Sequence, residues 1–338
     1  MTTEGGVMAD ILVIGGYGAV GAGVSVLLDE WFPGRVIAAG RRPDAATLPA
    51  TIRRARLDLA DPASLGRLLD THAIEAAVLC VEPADATVAA TLLDRGIHLI
   101  DIGATDGLHR QVEALHDRAV AAGATGVLSV GLAPGLTNLL ARRASEEVGG
   151  ATAIDITVML GAGERHGADA VAWTVAGLGR ETADTPRRVA MPGHGVRSAF
   201  PMDFSDQHSL RRTLGTAVTT RMCLDSALST ALLAGLRRLG VFRAARRWPA
   251  VRRLVTAALS GIHLGGDAYA IRVDAVNGDR RATLTLGGNS QSRVTALVAA
   301  HVTRTVLTGV LPAGVHHVDQ LPALAALPET AGLPAVPA

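Results

Sequence analysis

Three glycines near the N-terminus have the type and spacing needed to bind a phosphate group. Gly16, Gly18 and Gly21 follow the apolar run 11–14 and lead into an apolar pattern of helical period. In such a loop the first glycine permits a tight turn and the second lets the backbone approach a pyrophosphate, while the third lets the helix pack on the strand. Glycine-rich turns are common, so the flanking strand and helix carry the prediction of a dinucleotide site; a turn without a ligand is the alternative. The other loop residues predicted to contact the cofactor are Tyr17, Ala19 and Val20.

The second predicted strand, 36–39, ends at a glycine followed by Arg41 and Arg42. Sites selective for NAD place an Asp or Glu at this tip to accept a hydrogen bond from the ribose 2′-hydroxyl, whereas a 2′-phosphate needs guanidinium groups. Two arginines and no acid stand here, which predicts NADP(H), unless the pair forms only a solvated turn. Asp58, in the third apolar run, and Pro83, after the fourth, are assigned to the same cofactor site.

Hydride transfer also needs a group that gives or takes a proton. His166 titrates near neutral pH and is the predicted general acid, with Arg165 beside it to hold an acidic group of the substrate. A solvent-exposed loop without a catalytic role is the alternative for both. Asp101, at the end of the fifth predicted strand, is predicted to orient the substrate or the ribose, or else to cap a helix. Two further predicted substrate contacts are Trp173, otherwise a core residue, and His208, in a stretch expected to be rich in loops.

The absence of lysine excludes several mechanisms. All 32 basic residues are arginine. A Schiff base, a P-loop and the Tyr–Lys pair of short-chain dehydrogenases each need an ammonium group, and guanidinium does not release its proton near neutral pH. His316 and His317 lack further ligands at metal spacing, so no metal site is predicted. Cys80 and Cys223 form no disulfide framework and are typical of core thiols in a reducing compartment.

Charge and hydropathy limit the kinds of partner that the protein can bind. The formal net charge of +1 argues against nucleic-acid binding. We find no basic-then-apolar leader and no uninterrupted apolar run of about 18 residues, so a cytoplasmic protein without an integral membrane segment is expected. Residues 237–253 are basic and amphipathic. They could contact a membrane surface, an acidic carrier protein or an anionic substrate, with a solvated helix face as the alternative.

Short apolar runs alternate with helical patterns at first, which is typical of βαβ units. We predict an α/β fold whose N-terminal domain, 1–150, is a doubly wound parallel sheet of Rossmann type. Later strands are longer and alternate with period two, and Asn277-Gly278 marks a hairpin. A second, α+β domain on a mostly antiparallel sheet is therefore expected over 151–321, while a helix at 291–308 is long enough to pack back on the first domain. Residues 322–338 are expected to form a Pro/Ala-rich surface tail.

A resemblance to a known family rests on the segments 11–21, 40–42, 96–103 and 131–138, joined by 314–321 as a closing element. These segments resemble the saccharopine dehydrogenase-like family of NADP-binding oxidoreductases. The resemblance implies a Rossmann domain joined to a substrate and dimerisation domain, hence a homodimer, and hydride transfer to or from a carbon bonded to nitrogen. Members range from amino-acid and polyamine reductases to enoyl reductases, so the substrate does not follow from the fold. The lysine-dependent roles of true saccharopine dehydrogenases cannot exist in this chain.

These observations predict an NADPH-dependent oxidoreductase acting on a small or medium metabolite. Its reaction would reduce the C=N bond of an imine or enamine, or a conjugated C=C bond. The alternative is a catalytically silent NADP-binding protein that senses redox state or acts as a scaffold through its arginine-rich helices. A substrate-sized domain after the first one favours the enzyme.

Overall fold

The computed structural model describes residues 9–43, 47–163, 174–175, 177–178, 185–260 and 265–333. The chain divides into two compact units. The first contains the chain up to Gly103, Gly107–Val130 and Ala296–His317, and the second contains Ala104–Asp106, Gly131–Thr295 and the chain from Val318 onward.

The first unit is built on one sheet of seven parallel strands. Its strands are β1 (Asp10–Ile14), β2 (Val36–Gly40), β3 (Arg53–Arg56), β4 (Ile74–Leu79), β5 (His98–Asp101), β6 (Thr125–Leu128) and β13 (Gly314–His317). They lie in the order β13-β6-β5-β4-β1-β2-β3, and every adjacent pair is parallel. The predicted doubly wound parallel sheet is confirmed.

The inner strands of this sheet are apolar because both of their faces are covered. Leu12, Val13 and Val78 have no exposed surface, as expected for parallel strands packed under helices. The edge strand β3 has the sequence Arg-Arg-Ala-Arg, and the run at 57–59 that was predicted to be this strand follows it. An edge strand needs only one neighbour, so polar side chains are tolerated there. The described helices that lie wholly or mostly in this unit are Ala19–Trp31, Pro62–Thr71, Thr87–Asp94, Asp106–Glu113, His116–Ala121 and Gln291–Leu307.

The first unit ends earlier than the expected boundary at residue 150, and it recruits a late segment of the chain. Strand β13 pairs in parallel with β6, so that His317 lies opposite Leu128. The long helix Gln291–Leu307 contacts the first helix, where a Cβ on Gly23 would lie 3.0 Å from the Cβ of Ala296. Strand pairing and helix packing therefore place residues 296–317 in the first unit.

The second unit contains a six-stranded sheet that is mostly antiparallel, as predicted. Its strands are β7 (Ala153–Leu160), β8 (Arg187–Met191), β9 (Gly195–Pro201), β10 (Ala217–Leu224), β11 (Ala268–Asn277) and β12 (Arg280–Asn289). They lie in the order β12-β11-β7-β10-β9-β8, and only β7 and β10 pair in parallel. The predicted hairpin joins β11 to β12, with Gly278 at a φ of +58°. The helices of this unit are Thr137–Glu147, Ser205–Leu214, Ala227–Arg238, Val241–Arg247, Pro249–Ser260 and Leu327–Thr330.

One local expectation in the second unit is wrong, and the predicted tail is not exposed at every residue. The stretch expected to be rich in loops contains the β8–β9 hairpin, with His194 at its turn, and places His208 on a helix. The tail expected at the surface buries Leu324 and Leu327. Leucines in a proline-rich segment can still pack in the core, because short turns and one helical turn suffice to direct them inward.

Candidate functional site

The glycine loop lies at the carboxyl end of β1, between β2 and β4, where the strand order of the first sheet reverses. Ligands of doubly wound sheets bind at this switch point. A Cβ on Gly16 would lie 2.8 Å from the Cβ of Ala38, and one on Gly21 would lie 2.2 Å from the carbonyl oxygen of Gly15. The nearest atom to a Cβ on Gly18 would be 3.4 Å away, an ordinary contact. Steric contacts within the protein therefore require glycine at positions 16 and 21. Position 18 borders open space outside the loop.

The helix that follows the loop begins without a side-chain cap. Gly18 is its N-cap, with a φ of −78° and a ψ of 174°, and no acidic residue lies in the first turn. The first amides of a helix have no partner within it, and the helix dipole makes this end attractive to anions. This helix start is therefore suited to a phosphate group, and Ala19 and Val20 belong to it.

Tyr17 is held by the neighbouring strands. Its hydroxyl lies 2.8 Å from the carbonyl oxygen of Ala38 and 3.0 Å from that of Ala55. A Cβ on Gly40 would lie 2.9 Å from the tyrosine ring, so the ring covers the tip of β2. The side chain fixes the glycine loop to β2, which leads to Arg41 and Arg42, and to β3 beside it.

Arg41 and Arg42 lie directly beyond β2 with exposed side chains. Within the described part of the chain, no ion pair or hydrogen bond of either guanidinium is found. Asp58 is placed near this tip, since the Leu57 amide donates to the Gly40 carbonyl at 3.0 Å. Its carboxylate accepts a hydrogen bond from the Ala60 amide at 3.1 Å and so forms a local turn.

The loop after β4 lies against the glycine loop. The Cys80 amide donates to the Ile14 carbonyl at 2.8 Å, and a Cβ on Gly15 would lie 2.5 Å from Cγ1 of Val81. Pro83, which is half-buried, belongs to this loop. The carboxyl ends of β1 and β4 thus bring Pro83 and the three glycines to the same edge of the sheet.

Asp101 ends β5 at that edge and is 1% exposed. Its Oδ1 accepts a hydrogen bond from the Gly103 amide at 2.7 Å, and Oδ2 has no hydrogen-bond partner among the described residues. Burial is the main cause that raises the pKa of Asp101, to about 6 once the smaller effects are included; the hydrogen bond from the Gly103 amide lowers the pKa, Glu82 raises it and His317 lowers it. The group forms no helix cap; it is a buried carboxyl that titrates near neutral pH, which suits a proton-transfer group.

A chain of three polar side chains, which the sequence did not indicate, lies in the same unit. Ser129, directly after β6, has its Oγ 2.9 Å from Nδ1 of His317, and Nε2 of that ring lies 2.7 Å from Oε1 of Glu113. An ionised carboxylate only accepts hydrogen bonds, so Nε2 of His317 donates to Glu113, and Nδ1 lies on the opposite side of the ring against the serine hydroxyl. Ser129 is fully buried at a φ of +58°, while the Glu113 side chain is 30% exposed. The three hydrogen-bonded side chains therefore link the protein surface to a buried hydroxyl.

Two further contacts lie close to this group of side chains. The fully buried ring of His109 meets the His317 ring edge to face, with centroids 5.6 Å apart. The Val130 amide donates to the Asp101 carbonyl at 3.2 Å, and this bond places the neighbouring Ser129 beside the end of β5. The one sequence signal for it is that Ser129 is a polar residue within the apolar run 127–130.

The second unit holds His208. Its Nε2 lies 2.5 Å from Oδ1 of Asp203, and its side chain is half-buried. The next residue of the same helix, Ser209, accepts a hydrogen bond from Nδ2 of the buried Asn138 at 3.1 Å. The same Nδ2 lies 3.2 Å from Oδ1 of Asp319. These contacts hold the segment 131–138 in place within the unit, because buried polar groups need partners.

Three predicted site residues, Arg165, His166 and Trp173, lie outside the described residues. Within the part that is described, no group of three or more His, Cys, Asp or Glu side chains is arranged to hold a metal ion. Among the same residues, no helix is long and apolar enough to cross a membrane.

No family model matches the sequence. Among solved structures, the chain is similar to the DAP dehydrogenase of C. glutamicum in complex with DAP, with 15% identity over 94% of this chain and 95% of that one, at a TM-score of 0.50. It is also similar to the amine dehydrogenase of Mycobacterium smegmatis, with 13% identity over 94% of this chain and 97% of that one, at a TM-score of 0.54. At these identities the likeness establishes a shared two-part α/β fold over nearly the whole chain.

Proposed function

We propose that this chain is an NADPH-dependent oxidoreductase that reduces a C=N bond, or a conjugated C=C bond, of a small or medium metabolite. The observation that carries the proposal is the glycine loop at the switch point of the sheet. Gly16 and Gly21 are closed in by protein atoms, whereas Gly18 faces open space at the start of an uncapped helix. A pyrophosphate placed there would meet backbone amides without steric conflict.

The residues present fit the proposed cofactor. The glycine loop and the helix start would hold the pyrophosphate, and Arg41 and Arg42 would hold the 2′-phosphate, since no described acid pairs with them. Asp58 and Pro83 would flank the adenosine and nicotinamide halves. Bound NADPH would supply the hydride.

Asp101 is the described residue best suited to exchange the proton. Its carboxyl is buried and lies at the same sheet edge as the glycine loop. Because burial raises its pKa to about 6, an appreciable fraction of the group is protonated near neutral pH. We propose His166 as a second proton donor and Arg165, Trp173 and His208 as substrate contacts, on the sequence pattern alone.

The C=N substrate class has support from the two similar structures, which are named as a DAP dehydrogenase and an amine dehydrogenase. Both names describe oxidation at an amino group, the reverse of reducing a C=N bond. The four sequence segments that resemble the saccharopine dehydrogenase-like family point to the same chemistry. We therefore propose that type of reductase, with a carbon bonded to nitrogen as the hydride acceptor.

The test combines cofactor binding with turnover. The purified chain is titrated calorimetrically with NADPH and with NADH, then assayed for NADPH oxidation with amine-plus-ketoacid mixtures and with enoyl substrates. We expect NADPH to bind at least roughly tenfold more tightly than NADH, and turnover that Asp101→Asn lowers. Tight NADPH binding without turnover of any substrate panel would contradict the enzyme and favour the catalytically silent sensor. If neither nucleotide bound, the cofactor site itself would be refuted.

A further inference from the structure

Three consecutive helices between β10 and β11 present an unusual surface. They are Ala227–Arg238, Val241–Arg247 and Pro249–Ser260. Their inner sides join a core cluster of the second unit, to which Phe242 and Ala245 belong as fully buried members. The half-buried side chains packed on that cluster are Leu233, Leu236, Val251 and Val255. The helices are therefore anchored in the unit, and their outer sides need a separate explanation.

Large apolar side chains project from the outer sides. Leu228 is 74% exposed, Leu239 80%, Leu254 71% and Trp248 58%, and Leu232 is exposed as well. Within the described residues, five of the eight exposed large hydrophobic side chains lie in the segment 227–260, three of them in the helices and two, Leu239 and Trp248, directly after a helix end. A helix in a globular protein normally directs its leucines inward, so such a concentration marks an interaction surface.

All charged residues of the same segment are basic. From 226 to 266 the sequence contains seven arginines and no Asp or Glu, although the whole chain has a net charge of only +1. One of them, Arg237, is half-buried and its Nη1 donates to the Pro201 carbonyl at 3.2 Å. The six exposed ones are Arg238, Arg243, Arg246, Arg247, Arg252 and Arg253. None of these six forms an ion pair with a described residue, so their charge is available to a partner.

We propose that this surface, residues 227–260, docks on an anionic lipid membrane. Helices that lie in a membrane interface combine exposed leucine or tryptophan with arginine, and they insert the apolar side chains while the guanidinium groups contact lipid phosphates. Trp248 has the amphipathic ring that membrane interfaces favour, and the Arg247 guanidinium lies over it at 5.8 Å. The mode is peripheral, and no spanning segment is involved.

The other partners fit less well. A second copy of the chain would oppose two surfaces of the same positive sign, which repel. A nucleic acid would neutralise the arginines but leave the projecting leucines in water. An acidic protein would need an apolar groove to receive side chains spread over three short helices, whereas a lipid surface adapts to them.

Vesicle flotation of the full chain tests the proposal, using phosphatidylcholine alone and phosphatidylcholine mixed with phosphatidylglycerol. We expect binding only to the mixed vesicles, and release at roughly 0.5 M salt because screening shortens the reach of the charges. Each exposed arginine should contribute roughly fivefold to the affinity. The pair Arg246→Ser and Arg253→Ser should therefore weaken binding roughly twenty-five-fold, and the pair Leu239→Ser and Leu254→Ser at least roughly tenfold.

Matched controls come from exposed residues elsewhere in the second unit. Arg188→Ser removes an exposed arginine and Val196→Ser an exposed aliphatic side chain outside the helices, and both should leave vesicle binding unchanged. No binding to mixed vesicles, or equal losses with the control variants, would overturn the proposal. Arginine-dependent binding to polyglutamate without vesicle binding would overturn it in favour of an acidic protein. NADPH affinity, measured on the same preparations, is expected to stay constant, so this outcome is independent of the proposed function.

Discussion

His317 and Ser129 are 188 residues apart in sequence, yet Nδ1 of the histidine lies 2.9 Å from Oγ of the serine. The contact exists because β13 adds to the sheet beside β6. On the other side of the ring, Glu113 accepts from Nε2 at 2.7 Å. One imidazole thus joins the last strand of the first unit to the end of β6 and to a helix.

Replacing His317 should therefore destabilise the first unit. His317→Ala leaves a cavity and two polar groups without their partner, so we expect the free energy of unfolding to fall by about 3 kcal/mol. His316→Ala, one residue earlier and half-buried, is the matched control, with an expected loss of about 1 kcal/mol. Urea unfolding followed by circular dichroism measures both losses. Equal losses would show that the hydrogen bonds of His317 with Ser129 and Glu113 do not add to the free energy of unfolding.

The buried Asp101 should make stability depend on pH. Its folded-state pKa of about 6 is higher than the ordinary 3.8, so the folded state favours the protonated form. That contribution is complete below about pH 4 and is lost as pH rises through about 6. Asp101→Asn keeps an acceptor for the Gly103 amide but cannot ionise. Relative to the parent chain, the variant should gain about 3 kcal/mol in unfolding free energy between about pH 4 and about pH 8.

The control for that experiment is Asp279→Asn, which removes an exposed carboxyl at the β11–β12 turn. Its difference from the parent chain should stay nearly constant over the same pH range. A flat difference for Asp101→Asn as well would mean that water or a ligand solvates the Asp101 carboxyl in solution.

Two glycine substitutions should separate folding from cofactor binding. Gly21→Ala would place a Cβ 2.2 Å from the Gly15 carbonyl oxygen, so we expect it to destabilise the protein by several kcal/mol, on the order of 3. Gly18→Ala meets no atom closer than 3.4 Å, at a φ that alanine adopts readily. It should fold normally and bind NADPH at least roughly tenfold more weakly, because the methyl group occupies the space for the pyrophosphate. Thermal unfolding and calorimetry measure the two effects, and unchanged NADPH affinity in Gly18→Ala would count against the site.

The arginine tip should determine the choice of cofactor. Arg41→Asp removes a guanidinium and places a carboxylate where a 2′-phosphate is proposed to lie. We expect NADPH affinity to fall on the order of a hundredfold, while NADH affinity stays the same or rises. Arg188→Ser serves as the control for loss of an exposed arginine. Equal effects on both nucleotides would contradict the assignment of NADP(H).

The local parts of this structure could be predicted from local sequence. Five apolar runs and the helical patterns between them indicate parallel strands, and Asn277-Gly278 indicates the hairpin. The spacing of Gly16, Gly18 and Gly21 indicates the loop. Each of these features depends on residues within about twenty positions of one another, where side-chain periodicity and turn chemistry act directly. The edge strand β3, with its three arginines, was misplaced because pairing with a single neighbour imposes no apolar pattern.

Tertiary structure alone decided the features that join distant residues or depend on burial. The Ser129–His317–Glu113 chain spans separations of 188 and 204 residues, which no local pattern encodes. The raised pKa of Asp101 follows from its burial, and the same residue at the surface would be an ordinary acid. Sequence showed that residues 237–253 are basic and amphipathic, but only packing determined that Leu228, Leu239 and Leu254 face outward. A hydrophobic pattern defines which side chains share a helix face, whereas the rest of the fold determines which face is covered.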